Sequence, residues 1–85
     1  MGSEADAVVA VISRILRSET EITAEVTPSA HLLRDLEMDS LALTVLAVGL
    51  EDEYRIKLTE DDSSGVQTVQ ELAELVVRRT REVHP

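Results

Sequence analysis

The apolar run from Leu41 to Leu50 is the segment that most limits how this chain can fold. As a helix it would be apolar over most of its circumference until the acidic residues Glu51-Asp52-Glu53. A helix of this kind has to be covered, either by the rest of its own domain or by a partner. We therefore predict a central helix that runs from about Ser40 to Tyr54. Its predicted core face consists of Leu43, Leu46, Leu50 and Tyr54.

Two amphipathic patterns predict further main helices before and after the central one. The first runs from about Glu4 to Ser18 and begins at Ser3 and Asp6, which resemble a capping box. The last begins at Thr68-Val69-Gln70-Glu71, a second capping box. Apolar residues at helical spacing should face the core. They are Val8, Val11, Ile12, Ile15 and Leu16 in the first helix, and Val69, Leu72, Ala73, Leu75 and Val76 in the last.

The connections between these helices are expected to differ in length. A mostly polar segment, Glu19 to Met38, joins the first two, and Thr27-Pro28 in it could start one helical turn, because Pro suits the first helical position. A short helix is predicted from Thr59-Glu60-Asp61-Asp62 to about Ser64. The residues of the first segment expected to pack on the bundle are Ile22, Val26, Leu32, Leu33 and Leu36.

The predicted fold class is all-α, a small four-helix bundle of three main helices plus one short helix, with a long loop between helices I and II. Residues 1–85 should form a single domain. The core should be modest and aliphatic, because the chain has no Phe or Trp and only one Tyr.

Charge and composition exclude several classes of protein. The net charge is −9, so we expect no binding to nucleic acid, and we expect partners with basic patches. The chain has no cysteine, which excludes disulfides and a cysteine nucleophile, and no metal site is expected. No apolar run approaches the roughly 20 residues that cross a bilayer, so no membrane contact is expected. These features favour a cytoplasmic monomer.

The segment Asp39-Ser40-Leu41 is the candidate functional site, because it marks the start of the central helix. A serine there is exposed beside unpaired backbone N–H groups, and those groups and the helix dipole both favour a phosphate. Asp39 should cap the helix. No His–acid pair accompanies Ser40, so a stand-alone serine enzyme is not expected. We interpret Ser40 as the attachment point of a phosphate-linked group that another enzyme installs.

This pattern as a whole resembles the acyl carrier protein family. The segments that carry the resemblance are Val26-Thr27-Pro28, Leu32 to Leu41 with its Asp-Ser-Leu signature, Glu51 to Tyr54, and Val66 to Val69. The resemblance implies that 4′-phosphopantetheine from coenzyme A is esterified to Ser40, with Asp39 and Leu41 beside it, and that the chain catalyses nothing itself. The implied partners are a phosphopantetheinyl transferase and an acyltransferase, ketosynthase or other enzyme of polyketide or fatty acid biosynthesis.

The chain departs from the family pattern in two places. Glu37 stands where the family usually has Gly, and Ala42 and Val45 stand where several members have acidic residues. We therefore expect a partner surface that is more hydrophobic, with acidic residues at its end. The predicted partner-binding residues are Val45, Val48, Glu51 and Asp52.

Two alternatives stay open at this point. One is a peptidyl carrier protein that is loaded with an amino acid, although Asp39 stands where many peptidyl carriers have His or another residue. The other is a helical interaction domain of carrier-like fold that is never modified, which the intact Ser40 argues against. Loading by an adenylating enzyme would support the peptidyl carrier. A failure of modification would support the unmodified interaction domain.

Overall fold

The protein is all-helical, as predicted. A computed structural model describes residues 3–84, apart from the side chains of Glu60 and Ser63, so the ends of the predicted domain at residues 1, 2 and 85 lie outside the described residues. The helices are α1 (Glu4–Glu19), α2 (Ser40–Tyr54), α3 (Glu60–Ser64) and α4 (Val69–Val83). Within residues 3–84 there is no strand, only an isolated antiparallel bridge between His31 and Thr68. None of these described helices is long and apolar enough to cross a membrane.

Three helices begin where a reciprocal pair of side chains satisfies the first backbone N–H groups. In each pair a hydroxyl accepts the N–H of the residue three positions later, and the carboxylate of that residue accepts the N–H of the first. The pairs are Ser3 with Asp6 before α1, Thr59 with Asp62 before α3, and Thr68 with Glu71 before α4. These local bonds explain why the helix starts could be located in the sequence.

The core lies between α1, α2 and α4 and is made of aliphatic side chains. The predicted inward stripes of α1 and α4 are confirmed, except that Val11 is only partly buried. Gly49 allows α1 and α2 to approach closely, because a Cβ atom there would lie only 3.0 Å from Cδ1 of Ile15. The largest fully buried side chains are Ile12, Leu16, Leu46, Leu50, Val69 and Val76.

Residues 20–39 cross the bundle without forming a helix, and the predicted helical turn at Thr27-Pro28 is wrong. The N–H of Ala30 donates to the carbonyl of Thr27 at 3.1 Å, which closes a β-turn. The carbonyls of Pro28 and Ala30 then accept the N–H groups of Gln70 and Val69, at 2.8 and 3.0 Å. Besides its own internal turns, the segment therefore bonds to the unpaired amides at the start of α4.

Leu33 does not pack on the bundle, so this part of the prediction is wrong. Leu32 and Leu36 are buried, whereas Leu33 is 57% exposed. The reason is the turn that begins at His31, whose carbonyl accepts the N–H of Leu36 at 3.1 Å. In a tight turn, residues four apart share a face, so Leu32 and Leu36 point inward together and Leu33 points outward.

Candidate functional site

Ser40 is the first residue of α2, and its side chain is exposed. The side chain of Asp39 accepts the N–H of Ala42 at 2.8 Å, which confirms the predicted cap, and its carbonyl accepts the N–H of Leu43 at 3.0 Å. Among the described side chains none bonds to the Ser40 hydroxyl, and among the described residues none accepts the N–H of Ser40 or Leu41. The site therefore presents an unbonded hydroxyl beside two unpaired amides.

The backbone that leads into Ser40 is held by a buried residue and a left-handed one. Met38 is only 4% exposed, and its N–H donates to the carbonyl of Leu32 at 3.2 Å. Glu37 has a φ angle of 53°, which costs a residue with a side chain about 1 kcal/mol or more. Glycine adopts this conformation without that cost. Glu37 thus has the left-handed conformation that favours glycine, the residue expected at this position from the family pattern.

The exposed side of α2 carries a ridge, which we define as Leu41, Val45, Val48 and Asp52. These residues follow one another at intervals of four, three and four, so they lie in one row along the helix. Leu41 is 72% exposed and Val48 is 56% exposed, so the ridge presents apolar surface to solvent. A concave region lies on each side of it.

The first concave region is an apolar cavity of about 610 Å³. It opens between α2, α4 and the connector that contains α3. His31 and Glu51 are the ionisable side chains in its lining among the described residues. Aliphatic side chains form most of the wall, among them Leu43, Leu46, Ala47, Leu58, Val66 and Leu72.

Ser40 lies on the side of α2 that faces this apolar cavity. Thr44, Ala47 and Glu51 follow Ser40 at intervals of four, three and four, and all three line the cavity. Residues at these intervals share one helix face. A group attached to the Ser40 hydroxyl would therefore start on the face of α2 that lines the apolar cavity further along the helix.

The second concave region is an acidic groove of about 700 Å³ on the other side of the ridge. Leu36, Ala42 and Val45 are among the apolar residues that line it, together with Leu41 at its edge. Its carboxylates take part in none of the ion pairs formed by the described residues. These carboxylates are Glu19, Glu21, Asp35, Glu37 and Asp39.

The structure divides the predicted site residues between these two regions. Asp39, Leu41 and Val45 line the acidic groove, whereas Val48 and Glu51 line the apolar cavity. The carboxylate of Glu51 accepts the N–H of Leu58 at 2.8 Å, so it holds the connector after α2. Asp52 is exposed at the end of the ridge. Leu41, predicted to lie beside an attached group, is 72% exposed.

An ion pair at the far edge of the apolar cavity ties α3 to α4. The side chain of Asp62 in α3 forms an ion pair with Arg79 in α4. Thr59, the residue before α3, lines the cavity. The pKa of Asp62 is lowered because it accepts hydrogen bonds from Thr59 and lies beside the Arg79 guanidinium. No His, Asp or Glu cluster among the described residues could hold a metal ion.

Sequence reasoning missed His31, which caps the turn that borders the apolar cavity. Its Nδ1 accepts the N–H groups of Leu33 and Arg34, both at 3.2 Å. The N–H of His31 in turn donates to the carboxylate of Asp35 at 2.7 Å. The signal was the spacing of His31 and Asp35, which places a side-chain acceptor at each end of one turn.

Comparison with known proteins decides the family. The family described as "Phosphopantetheine attachment site" matches residues 6–76, a range that includes Ser40. The meromycolate extension acyl carrier protein of Mycolicibacterium smegmatis is 34% identical over 70 residues, which cover 81% of this chain and 71% of that protein. The chain belongs to the acyl carrier protein family. The corresponding protein of Mycobacterium leprae is 36% identical over 63 residues, 73% of this chain and 55% of that protein.

A solved structure supports the same assignment. It is described as a proposed acyl carrier protein from Mycobacterium tuberculosis, and it is 36% identical with a TM-score of 0.65. The match covers 89% of this chain and 97% of that one. The helical arrangement of this chain is therefore that of an acyl carrier protein.

Membership in this family establishes what kind of protein this is. Acyl carrier proteins are non-catalytic, bind 4′-phosphopantetheine covalently, and serve a phosphopantetheinyl transferase and biosynthetic enzymes. The residues present fit the group, because the exposed Ser40 hydroxyl is unbonded and the chain contains no cysteine that could carry a thioester. The group supplies a thiol on a flexible arm, which is the function the chain itself lacks.

Proposed function

We propose that Ser40 is the attachment site and that Asp39 positions it. The observation that carries this is the exposed hydroxyl at the first residue of a capped helix, within the matched family region. The Ser40 oxygen forms a bond to phosphorus as the pyrophosphate bond of coenzyme A breaks, and adenosine 3′,5′-bisphosphate leaves. The hydroxyl proton passes to a base on the transferase, since no side chain of the described residues bonds to Ser40.

The proposed cargo is a fatty acyl chain that folds into the apolar cavity. A volume of about 610 Å³ lies within the range of roughly 300–1,000 Å³ that is usual for small-molecule sites. The wall is aliphatic, and Ser40 shares a helix face with Ala47 and Thr44 in it. The acidic groove is less suitable for the arm, because five carboxylates repel its phosphate.

We assign the pathway to the fatty acid class, in line with the relatives described as meromycolate extension carriers. An apolar cavity favours a hydrocarbon cargo over an amino acid, whose charged amine would lose its hydration there. This observation favours an acyl carrier over the peptidyl carrier alternative. The specific partners would then be enzymes of chain elongation, such as a ketosynthase or an acyltransferase.

These enzymes are proposed to contact the ridge. Leu41 and Val48 offer exposed apolar surface near Ser40, and Asp52 offers a charge at the far end. Interfaces of this kind are apolar at the centre and polar at the rim. Glu51 is a poorer contact than predicted, because its carboxylate already accepts the N–H of Leu58.

The test of the attachment site is an intact-mass measurement. The protein is incubated with coenzyme A, Mg²⁺ and a broad-specificity phosphopantetheinyl transferase. We expect a gain of one phosphopantetheine group in the native chain and in Ser29→Ala, which removes another exposed serine, and none in Ser40→Ala. A folded native chain that gains nothing, while a control carrier is modified, would support an unmodified interaction domain instead.

A further inference from the structure

The imidazole of His31 has one nitrogen that the turn around it does not use. Its Nδ1 accepts the N–H groups of Leu33 and Arg34, both at 3.2 Å. A neutral imidazole has one acceptor nitrogen and one N–H group, so these two bonds place the proton on Nε2. Among the described residues none accepts a hydrogen bond from Nε2, and none forms an ion pair with His31. Nε2 is therefore a donor without a partner in the described part of the chain.

This donor belongs to the wall of the apolar cavity, since His31 lines the cavity and is half-buried. The backbone around it is held firmly. The N–H of His31 donates to the Asp35 carboxylate at 2.7 Å, and the N–H of Leu32 donates to the carbonyl of Gln67 at 2.8 Å. Because Nδ1 is bound to its own turn, Nε2 is the nitrogen that remains for a ligand in the cavity. A few fixed polar groups in an apolar pocket decide how a ligand is oriented.

The other polar groups of the cavity wall are less suited to this role. Glu51 is an acceptor, and its carboxylate already accepts the N–H of Leu58 at 2.8 Å. The remaining described side chains of the lining that can donate a hydrogen bond are all exposed, so water competes for them. They are Thr44, Thr59, Ser64 and Gln67. Among the described side chains of the lining, His31 is thus the one half-buried donor.

An N–H donor in an aliphatic wall favours a ligand that brings an oxygen acceptor. A saturated hydrocarbon offers no acceptor and would displace water from Nε2 without replacing its hydrogen bond, which costs free energy. The phosphopantetheine arm has amide carbonyls. An attached acyl chain adds a thioester carbonyl and, before reduction, an oxygen on its β carbon. Each of these oxygens is a neutral acceptor that fits an uncharged imidazole N–H.

We propose that the Nε2–H group of His31 donates a hydrogen bond to a carbonyl oxygen of the loaded arm when the arm enters the apolar cavity. This inference rests on the proposed placement of the cargo in that cavity, and it makes His31 a residue that determines the position of the cargo. The carbonyl comes from an amide of the arm, from the thioester or from the β carbon of the acyl chain. The experiment distinguishes these three sources.

The experiment follows the side chain of His31 by ¹⁵N NMR of the full chain in four states. These are the apo protein, the form with the arm alone, the form with a saturated medium-length acyl chain, and the form with the β-keto chain of the same length. We expect the Nε2 proton to move downfield and to exchange more slowly with water in a loaded state, while Nδ1 stays unprotonated. His84, outside the cavity, is the internal control. The amide shifts of Val66 and Leu72 report entry into the cavity.

The state in which His31 changes identifies the oxygen. A change with the arm alone assigns the bond to an amide, a change with either acyl chain assigns it to the thioester, and a change with the β-keto chain alone assigns it to the β oxygen. An unchanged His31 while Val66 and Leu72 shift would overturn this inference and leave the cargo in the cavity. Unchanged Val66 and Leu72 in every loaded state would overturn the proposed cargo site, and this inference with it.

His31→Asn separates the donor from the cap of the turn. Asn has an oxygen where the imidazole has Nδ1 and no atom where it has Nε2, so it can still accept the N–H groups of Leu33 and Arg34. In the state that shows the Nε2 bond, the ratio of inserted to exposed chain should fall about three- to tenfold, the effect of one hydrogen bond. Gln67→Ala removes an exposed donor from the same wall and should keep the native ratio. A native ratio in a folded His31→Asn protein would contradict the proposed bond.

Discussion

The apolar cavity and the acidic groove lie on opposite sides of one helix, yet they depend on the rest of the molecule in different ways. The cavity wall is part of the core, since Leu46 and Leu72 are 1% and 7% exposed. The groove rim consists of carboxylates such as Glu19 and Glu21, which are exposed. Changes in the cavity wall should therefore lower stability strongly, whereas changes at the exposed groove rim should have smaller effects on it.

The strongest test of this contrast is Leu46→Ala in the cavity wall. Because Leu46 is almost fully buried, we expect the free energy of unfolding to fall by about 2–5 kcal/mol. Leu33→Ala is the matched control, since Leu33 also lines the cavity but is 57% exposed, and it should cost less than about 1 kcal/mol. Urea unfolding measures both. A loss of less than about 1 kcal/mol in Leu46→Ala would contradict the placement of the cavity wall in the core.

The second test compares Gly49, which lies where α2 contacts α1, with Gly65, which follows α3. Gly49→Ala should lower the free energy of unfolding by about 1 kcal/mol, because the added Cβ would crowd Ile15 in the seam between α1 and α2 by more than the gain in helix propensity offsets. Gly65→Ala, after α3, has nothing within 4 Å of the added Cβ and should be neutral or slightly stabilising. Thermal unfolding distinguishes them. A more stable Gly49→Ala would show that the contact between α1 and α2 can accommodate the added methyl group.

The third test concerns the groove rim, where Glu37→Gly should be stabilising. Its φ angle of 53° favours glycine, and we expect a gain of about 0.5–1 kcal/mol in the free energy of unfolding. Glu25→Gly serves as the control, because Glu25 has no left-handed conformation to relieve and should lose stability. A loss of stability in Glu37→Gly would mean that the Glu37 side chain contributes more to the free energy of unfolding than its left-handed backbone conformation costs.

The smallest effect is expected at the α3 edge of the cavity and depends on pH. Because the pKa of Asp62 is lowered in the folded state, its contribution to stability is fully present above the unfolded value of about 3.9 and is lost as the pH falls through the folded value. Asp62→Asn should therefore unfold with a weaker dependence on pH in this acidic range. Chemical denaturation at several pH values measures this, and parallel profiles would contradict it.

Local patterns predicted the helices well, because their determinants lie within a few residues. The bounds of α2, Ser40 to Tyr54, agree with the structure, as do the capping pairs at Ser3 and Thr68. Each of these features depends on side chains that bond to backbone groups three residues away. The inward stripe of α4 was equally clear from its spacing.

The features that the sequence did not reveal depend on contacts between distant segments. The turn after Pro28 is set by carbonyls that bond to the start of α4, a pairing across about forty residues that spacing alone does not show. The left-handed conformation of Glu37 is rare for its residue type, so propensity argues against it. The division of Val45 and Val48 between two concave regions depends on what packs on each side of α2.

The most direct test of the account is a comparison of backbone amide chemical shifts in the apo form and in a form carrying a medium-length acyl chain on the arm. If the cargo folds into the apolar cavity, the largest changes should occur there, at Ala47, Val66 and Leu72, with little change in the acidic groove at Ile22 and Ala24. Large changes at Ile22 and Ala24, with an undisturbed Val66, would contradict the assignment of the acyl cargo to the apolar cavity.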